Sequence, residues 1–241
     1  MKLDILAFGA HPDDVELSCS GTLAKQTALG YKCGVVDLTQ GELGTRGTPE
    51  IRLKEAQAAG KIMGLSAREN LGFKDGYFKN DAKHQLEVIR MIRKYRPEIV
   101  IANAPTDRHP DHGRGSFLVK EAAFLSGLRK IVSIDDGKEQ EPYRPSLLLY
   151  YIQFQNLSPD FIVDIGEHIN TKVAAIKAYK SQFYDPSSKE PKTVISSKNF
   201  MDSVTYRAQD LGRLIGAEYG EGFLKSQDLG LSNLMHLSGV R

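Results

Sequence analysis

The chain has 241 residues and a formal net charge of +2, with its basic residues scattered rather than striped. That balance leaves no electrostatic footprint for nucleic acid or a membrane surface. There is no apolar run of about 18 residues or more, and Met-Lys-Leu-Asp leads straight into a strand. The expectation is therefore one cytoplasmic α/β domain over residues 1–241, with neither signal peptide nor transmembrane helix.

The apolar run Leu3–Phe8 predicts a first strand, and apolar residues at helical spacing over Val15–Leu29 predict a first helix. Between them stands Gly9-Ala10-His11-Pro12-Asp13-Asp14, where Pro12 and Asp13 suit a first helical turn. Gly30 ends the helix, and Cys33–Thr39 follows as a buried strand. The loop Gln40–Thr48 sets Gly41, Gly44 and Gly47 around Glu42 and Arg46, a composition for unusual backbone angles or close approach to a ligand. Thr48-Pro49-Glu50 then starts a helix that runs to about Met63. Glu69–Phe73 reads as a third strand, with the turn Lys74-Asp75-Gly76-Tyr77 at its carboxyl end. Leu86, Ile89, Ile92 and Tyr95 mark a third helix that Pro97 stops, and Glu98–Asn103 is a fourth strand.

At the end of that strand comes Thr106-Asp107-Arg108-His109-Pro110-Asp111-His112-Gly113, then a helix over about Gly115–Leu125. Beyond it lie a polar loop at Asp135–Arg144, strands at Ser146–Phe154 and Phe161–Ile165, and a helix at Thr171–Gln182. An irregular stretch, Tyr184–Lys198, precedes a C-terminal helix at Phe200–Glu218. The last twenty residues are punctuated by glycine and serine, and the expectation is that they are extended or pack on a neighbour. Cys19 and Cys33 lack metal-type spacing and read as reduced, partly buried thiols. His84, His168 and His236 lack ligand spacing and read as surface or capping residues.

The strictly alternating first half predicts a doubly wound, mostly parallel, Rossmann-like sheet with helices on both faces and a C-terminal strand and helix extension. With strand order 3-2-1-4, the first and fourth strands are neighbours and ligands bind at the carboxyl ends between them. His11, Asp13 and Asp14 then meet His109, Asp111 and His112 in one crevice. Buried imidazoles and carboxylates in such number cost several kcal/mol without a metal or a partner. Two imidazoles and one carboxylate with an open position form a catalytic zinc set, assigned to His11, Asp14 and His112. The same donors accept ferrous iron. Asp13, His109 and Asp111 are left for proton transfer. A nucleotide-binding module would use the same crevice, but no Gly-x-Gly-x-x-Gly or P-loop follows the first strand.

Ala10-His11-Pro12-Asp13-Asp14 with His109-Pro110-Asp111-His112 resembles the zinc-dependent N-acetylglucosamine deacetylases of the PIG-L/LmbE type. The likeness runs through Gly41-Glu42-Xaa-Gly44 and Arg52-Xaa-Xaa-Glu55-Ala56. Lys180-Ser181-Gln182-Phe183-Tyr184, Leu211-Gly212-Arg213-Xaa-Ile215-Gly216 and Tyr219-Gly220-Glu221-Gly222-Phe223 are similar to the bacillithiol-biosynthesis branch, which removes acetate from N-acetylglucosaminyl-malate. The resemblance implies zinc on His11, Asp14 and His112, and Asp13 as general base. It implies His109, paired with Asp111 and kept protonated, as the stabiliser of the oxyanion. It places Arg52 and Asp75 on sugar hydroxyls, and Glu42 on the sugar or bracing its loop. Unaided by the likeness, Arg52 would read as an intrahelical partner of Glu50 or Glu55, and Asp75 as the start of its turn. Arg46 and Arg108 are the cations available to a malate group, and Tyr184 is either a lid or surface packing. A homo-oligomer, hexamers among the options, is implied by resemblance only. Another GlcNAc glycoconjugate or a chitobiose-like sugar is the alternative substrate.

Overall fold

The computed structural model describes residues 1–237. The strands and helices run in the order β1 (Ile5–Gly9), α1 (Asp14–Ala28), β2 (Cys33–Thr39), α2 (Pro49–Ile62), β3 (Ala67–Phe73), α3 (Ala82–Tyr95), β4 (Ile99–Asn103) and α4 (Pro110–Leu125). A short hairpin of β5 (Ile134–Asp135) and β6 (Lys138–Glu139) follows. Then come β7 (Leu147–Tyr151), β8 (Phe161–Asp164), α5 (Ile169–Lys177), α6 (Lys198–Arg213) and β9 (Gly220–Lys225).

The main sheet has seven strands in the order β3-β2-β1-β4-β7-β9-β8. Pairing is parallel from β3 to β7, whereas β9 is antiparallel to both β7 and β8. Period-two alternation divides each buried strand between two cores. Leu6, Phe8, Val36, Val100 and Ala102 face α3 and α4, while Ile5, Ala7, Val35 and Ile101 face α1 through Val15, Cys19 and Leu23. A further core joins α2, α5 and α6 through Met63, Ile176, Tyr179 and Met201.

The expected order 3-2-1-4, with helices on both faces and a C-terminal extension, is the order found. Several boundaries differ, for local reasons. Helix α4 begins at Pro110 rather than Gly115, because His109 takes the N-cap position and proline fits the first turn. Pro12 and Asp13 lie outside α1, which starts at Asp14, since Asp13 holds a left-handed φ of 111°. The C-terminal helix stops at Arg213 instead of Glu218, and Gly220–Lys225 forms a strand that the glycine-rich pattern concealed. The polar loop after α4 holds the β5–β6 hairpin. Residues 238–241 of the expected extended tail, and the side chain of His236, lie outside the described residues. Among the described residues no helix is long and apolar enough to cross a membrane.

Candidate active site

Asp14 is the centre of the crevice between β1 and β4. Its Oδ2 lies 3.5 Å from His11 Nδ1 and its Oδ1 lies 3.2 Å from His112 Nε2. The His11 and His112 ring centroids are 5.6 Å apart, so both rings flank one carboxylate. The other nitrogen of each ring meets a different carboxylate. His112 Nδ1 is 2.9 Å from Asp107, and His11 Nε2 is 3.0 Å from Asp75 and 3.5 Å from Asp111. Such outer carboxylates fix the tautomer and direct the free nitrogen inward, the pattern usual for metal-binding histidines. Asp14 is positioned in turn by the His11 amide, by Asn103 Nδ2 at 3.1 Å and by Gln153 Nε2 at 2.6 Å. Two imidazoles flanking a carboxylate are groups that could hold a divalent cation. His109 also brings a ring nitrogen within 4.8 Å of those of His11 and His112.

The charges follow from these contacts. Burial by itself would raise Asp14, yet His112 and His11 hold it well below the usual carboxylate range. Burial would likewise lower His11 and His112, but the surrounding carboxylates outweigh it: His11 lies well above its ordinary value and His112 rises to about 9. Asp75 is drawn down to about 2, its hydrogen bond to His11 outweighing the effect of burial. Asp13 goes the other way. Burial pushes it up to about 7 against the opposing pull of Arg52, with Asp14 adding to the rise.

Asp13 sits at the N-cap of α1, its left-handed backbone a conformation that costs a non-glycine residue about 1–3 kcal/mol. Arg52 secures it. From the first turn of α2, its guanidinium donates to Asp13 Oδ2 at 3.0 Å, to the Gly41 carbonyl at 3.1 Å and to the Pro12 carbonyl. A Cβ on Gly41 would stand 1.9 Å from Arg52 Nη1, and Gly41 has φ +66°, so glycine is required there on both counts. Arg52 therefore reaches into the site. The intrahelical partners open to it in sequence are otherwise engaged: Glu55 accepts from the Ser181 amide and hydroxyl, and Glu50 from Thr48.

His109 and Asp111 do not form the expected pair. The Asp111 carboxylate is fully buried and is taken by the Gly76 amide at 2.8 Å, by Arg114 and by His11. It is the Asp111 backbone N–H that meets His109, donating to Nδ1 at 3.3 Å. Burial, then His11 and His112, lower the His109 pKa, the direction opposite to that expected from a carboxylate partner, and Nδ1, already accepting the Asp111 N–H, leaves Nε2 as the nitrogen able to donate. The reason is steric order: Asp111 is in the first turn of α4 and faces the β3 turn, away from the ring of its N-cap neighbour.

The remaining residues divide between bracing and lining. Glu42 is exposed and accepts the Asp75 amide at 2.8 Å, bracing its loop. Asp75 also accepts the Leu43 amide, and both Asp75 and Arg52 reach the cavity wall. The cavity measures about 1270 Å³, and Arg46, Arg108, Gln153, Phe154 and Arg207 are among the residues that line it. Arg108 is exposed and stacks 4.4 Å above the Phe154 ring, whereas Arg46 is buried against Ser188. Tyr184 is exposed and away from the lining residues. His84 closes the N-terminus of α3 with Asp81, as a capping residue. Asn103, Asp107, Gln153 and Arg207 were given no role from sequence. Asp107 lies within the Thr106–Gly113 motif and Asn103 is a polar end to an apolar strand, but Gln153 and Arg207 carry no local signal.

Fold and site together define a doubly wound α/β protein with a histidine–aspartate centre at the switch point of its sheet. The chain belongs to the PIG-L family, whose description, GlcNAc-PI de-N-acetylase, matches residues 6–123. It is 29% identical over 190 residues to a diacetylchitobiose deacetylase of Thermococcus kodakarensis, covering 74% of this chain and 70% of that one. It is 32% identical over 193 residues to the uncharacterized deacetylase YaiS of Escherichia coli, covering 73% of this chain and 90% of that one. The crystal structure of the conserved protein TT1542 from Thermus thermophilus superposes with a TM-score of 0.84 at 36% identity, covering 95% of this chain and 98% of that chain.

Proposed function

We propose that this chain is a metal-dependent N-deacetylase that hydrolyses the N-acetyl group of N-acetylglucosaminyl-malate, giving glucosaminyl-malate and acetate. The observation that carries the reading is the Asp14 carboxylate set between two imidazoles whose outer nitrogens are already bonded, with Asp13 buried beside it. His11, Asp14 and His112 would hold zinc or ferrous iron. Such an ion, when bound, polarises the amide carbonyl and acidifies water.

The chain's own groups do the rest. Asp13, buried beside that set, takes the proton of the attacking water and passes it to the amine nitrogen as the C–N bond breaks. Arg52 fixes the orientation of Asp13, while Asp75 and Asp111 keep the Nε2 side of His11 engaged. His109, whose Nδ1 accepts the Asp111 N–H, donates from Nε2 to the oxygen on which charge develops. Arg108, exposed on the cavity wall, would be the cation to meet a malate carboxylate. The cytoplasmic setting expected from the sequence and the homo-oligomeric state implied by the resemblance belong to the same proposal, and sedimentation reads the second.

The test is acetate release from N-acetylglucosaminyl-malate, diacetylchitobiose and other N-acetylglucosaminides, with and without chelator. Release from the malate glycoside that chelator abolishes and zinc restores is the expected result. Turnover of another glycoside alone would reassign the substrate, and no release from any of them would overturn the deacetylase reading.

A further inference from the structure

Helix α1 is broken one turn past the site. Cys19 has φ −137° and ψ 18°, far from helical values. The sequence around it, Ser18-Cys19-Ser20-Gly21, is of a kind that kinks helices, and both serines bond back to the carbonyl four residues earlier, Ser18 to Asp14 and Ser20 to Glu16, at 2.7 Å each. In an unbroken helix the Gly21 amide would donate to the Leu17 carbonyl. Here Gly21 and Thr22 donate to the two oxygens of Glu221, at 3.0 and 2.7 Å. On the other side of the break, Lys172 Nζ donates to the carbonyls of Leu17 and Glu16, at 2.8 and 3.3 Å.

Lys172 and Glu221 also pair with each other at 2.7 Å, and each is only 3% exposed. One comes from α5 and the other from β9. Glu221 approaches because Gly21 lacks a side chain: a Cβ there would sit 3.1 Å from Glu221 Oε1 and 2.7 Å from Ile165 Cδ1. A buried ion pair tolerates desolvation only where further hydrogen bonds complete it, and this pair has four, all to the backbone on either side of one gap.

We infer that Lys172 and Glu221 are positioning residues that splice the broken α1 and so fix the turn from Asp13 to Ser18 against the crevice. That turn carries Asp13 and Asp14, so the pair, which also reaches the cavity wall, acts on the chemistry through the backbone. The inference rests on the role assigned to those two carboxylates under Proposed function.

The test uses Lys172→Met, Lys172→Arg and Glu221→Gln in the full chain, with Lys94→Met as a control for loss of a partly exposed ion pair far from the crevice. Three readouts are needed: amide hydrogen exchange over residues 17–22, zinc affinity by chelator competition, and kcat and KM separately. The expected result for Lys172→Met and Glu221→Gln is faster exchange confined to the break, zinc affinity and kcat lower by about 10–100-fold, as for lost outer-shell partners, and KM little changed. Lys172→Arg keeps a donor and a charge and should recover most of each loss, and Lys94→Met should lose none. A variant with a lowered Tm but unchanged zinc affinity and kcat would leave the pair a stabilising role only and overturn the inference. If the native chain released no acetate, the deacetylase reading would fail by itself, and exchange with zinc affinity would still decide the splice.

Discussion

At Asp13 burial and charge act in opposition. Desolvation lifts the carboxyl to about 7, while Arg52, 3.0 Å away, restrains the rise. Asp13 lines the same cavity as His11, Asp14 and His112 but is not one of the three proposed ligands. Asp13→Ala should therefore retain stoichiometric zinc while lowering kcat by roughly 10²–10⁴-fold. Metal analysis beside steady-state kinetics checks this, and full activity would remove Asp13 from the general-base role. The thiols make a second residue-scale case. Cys19 and Cys33 are buried and free, and burial raises both, Cys33 to about 11. A raised thiol pKa means less thiolate, so at pH 8 the native protein should resist alkylation by iodoacetamide. Both thiols should react on denaturation, and mass spectrometry of the labelled chain counts them.

Among the elements, α6 and β9 show what local pattern cannot settle. The stretch Phe200–Glu218 reads as one helix, yet the chain turns after Arg213 and returns as a strand. The cause is a close crossing: a Cβ on Gly212 would lie 2.7 Å from the backbone of Tyr219, so α6 and the entry to β9 pack backbone to backbone. Gly212→Ala should overpack that crossing and destabilise the fold by about 1–3 kcal/mol, read as a lower denaturation midpoint. An unchanged midpoint would mean that the crossing relaxes freely. The Leu211-Gly212-Arg213 and Tyr219–Phe223 segments, which carried only likeness in sequence, thus have a packing role. Helix α4 is the opposite case. Pro110 and Asp111 were legible as N-terminal helix residues, and starting the helix at Gly115 overlooked that signal.

Across the whole molecule, helices and sheet are tied by a charged group beneath the crevice. Arg68 on β3 pairs with Asp37 of β2 at 2.9 Å, with Glu16 of α1 and with Tyr179 at 2.8 Å, all buried or nearly so. Arg68→Met would leave two buried carboxylates without their cation and should cost about 3–5 kcal/mol of stability, measured by calorimetry. Burial pushes Asp37 up to about 6, against the pull of Arg68. Its folded pKa lies above the unfolded value of about 4, so its contribution to stability is complete below that pH and is lost as pH rises through 6. Removing the opposing cation should widen the loss, making Arg68→Met less stable relative to the native chain at pH 8 than at pH 5. An equal difference at both pH values would mean that Asp37 does not report on Arg68.

The sequence by itself determined the alternation of strands and helices, the order 3-2-1-4 and the meeting of His11 and Asp14 with His112, because these follow from periodicity and from where parallel sheets place their loops. It also supplied every donor of the candidate metal centre, since each lies in one of two short motifs. Only the tertiary structure decided who serves whom: Arg52 on Asp13 instead of Glu50 or Glu55, Asp111 on His11 instead of His109, and Lys172 with Glu221 across the break in α1. Those pairings join residues from 39 to 100 positions apart. Hydrogen-bond partners buried between elements are chosen by distance and orientation in space, which residue type and local spacing do not encode.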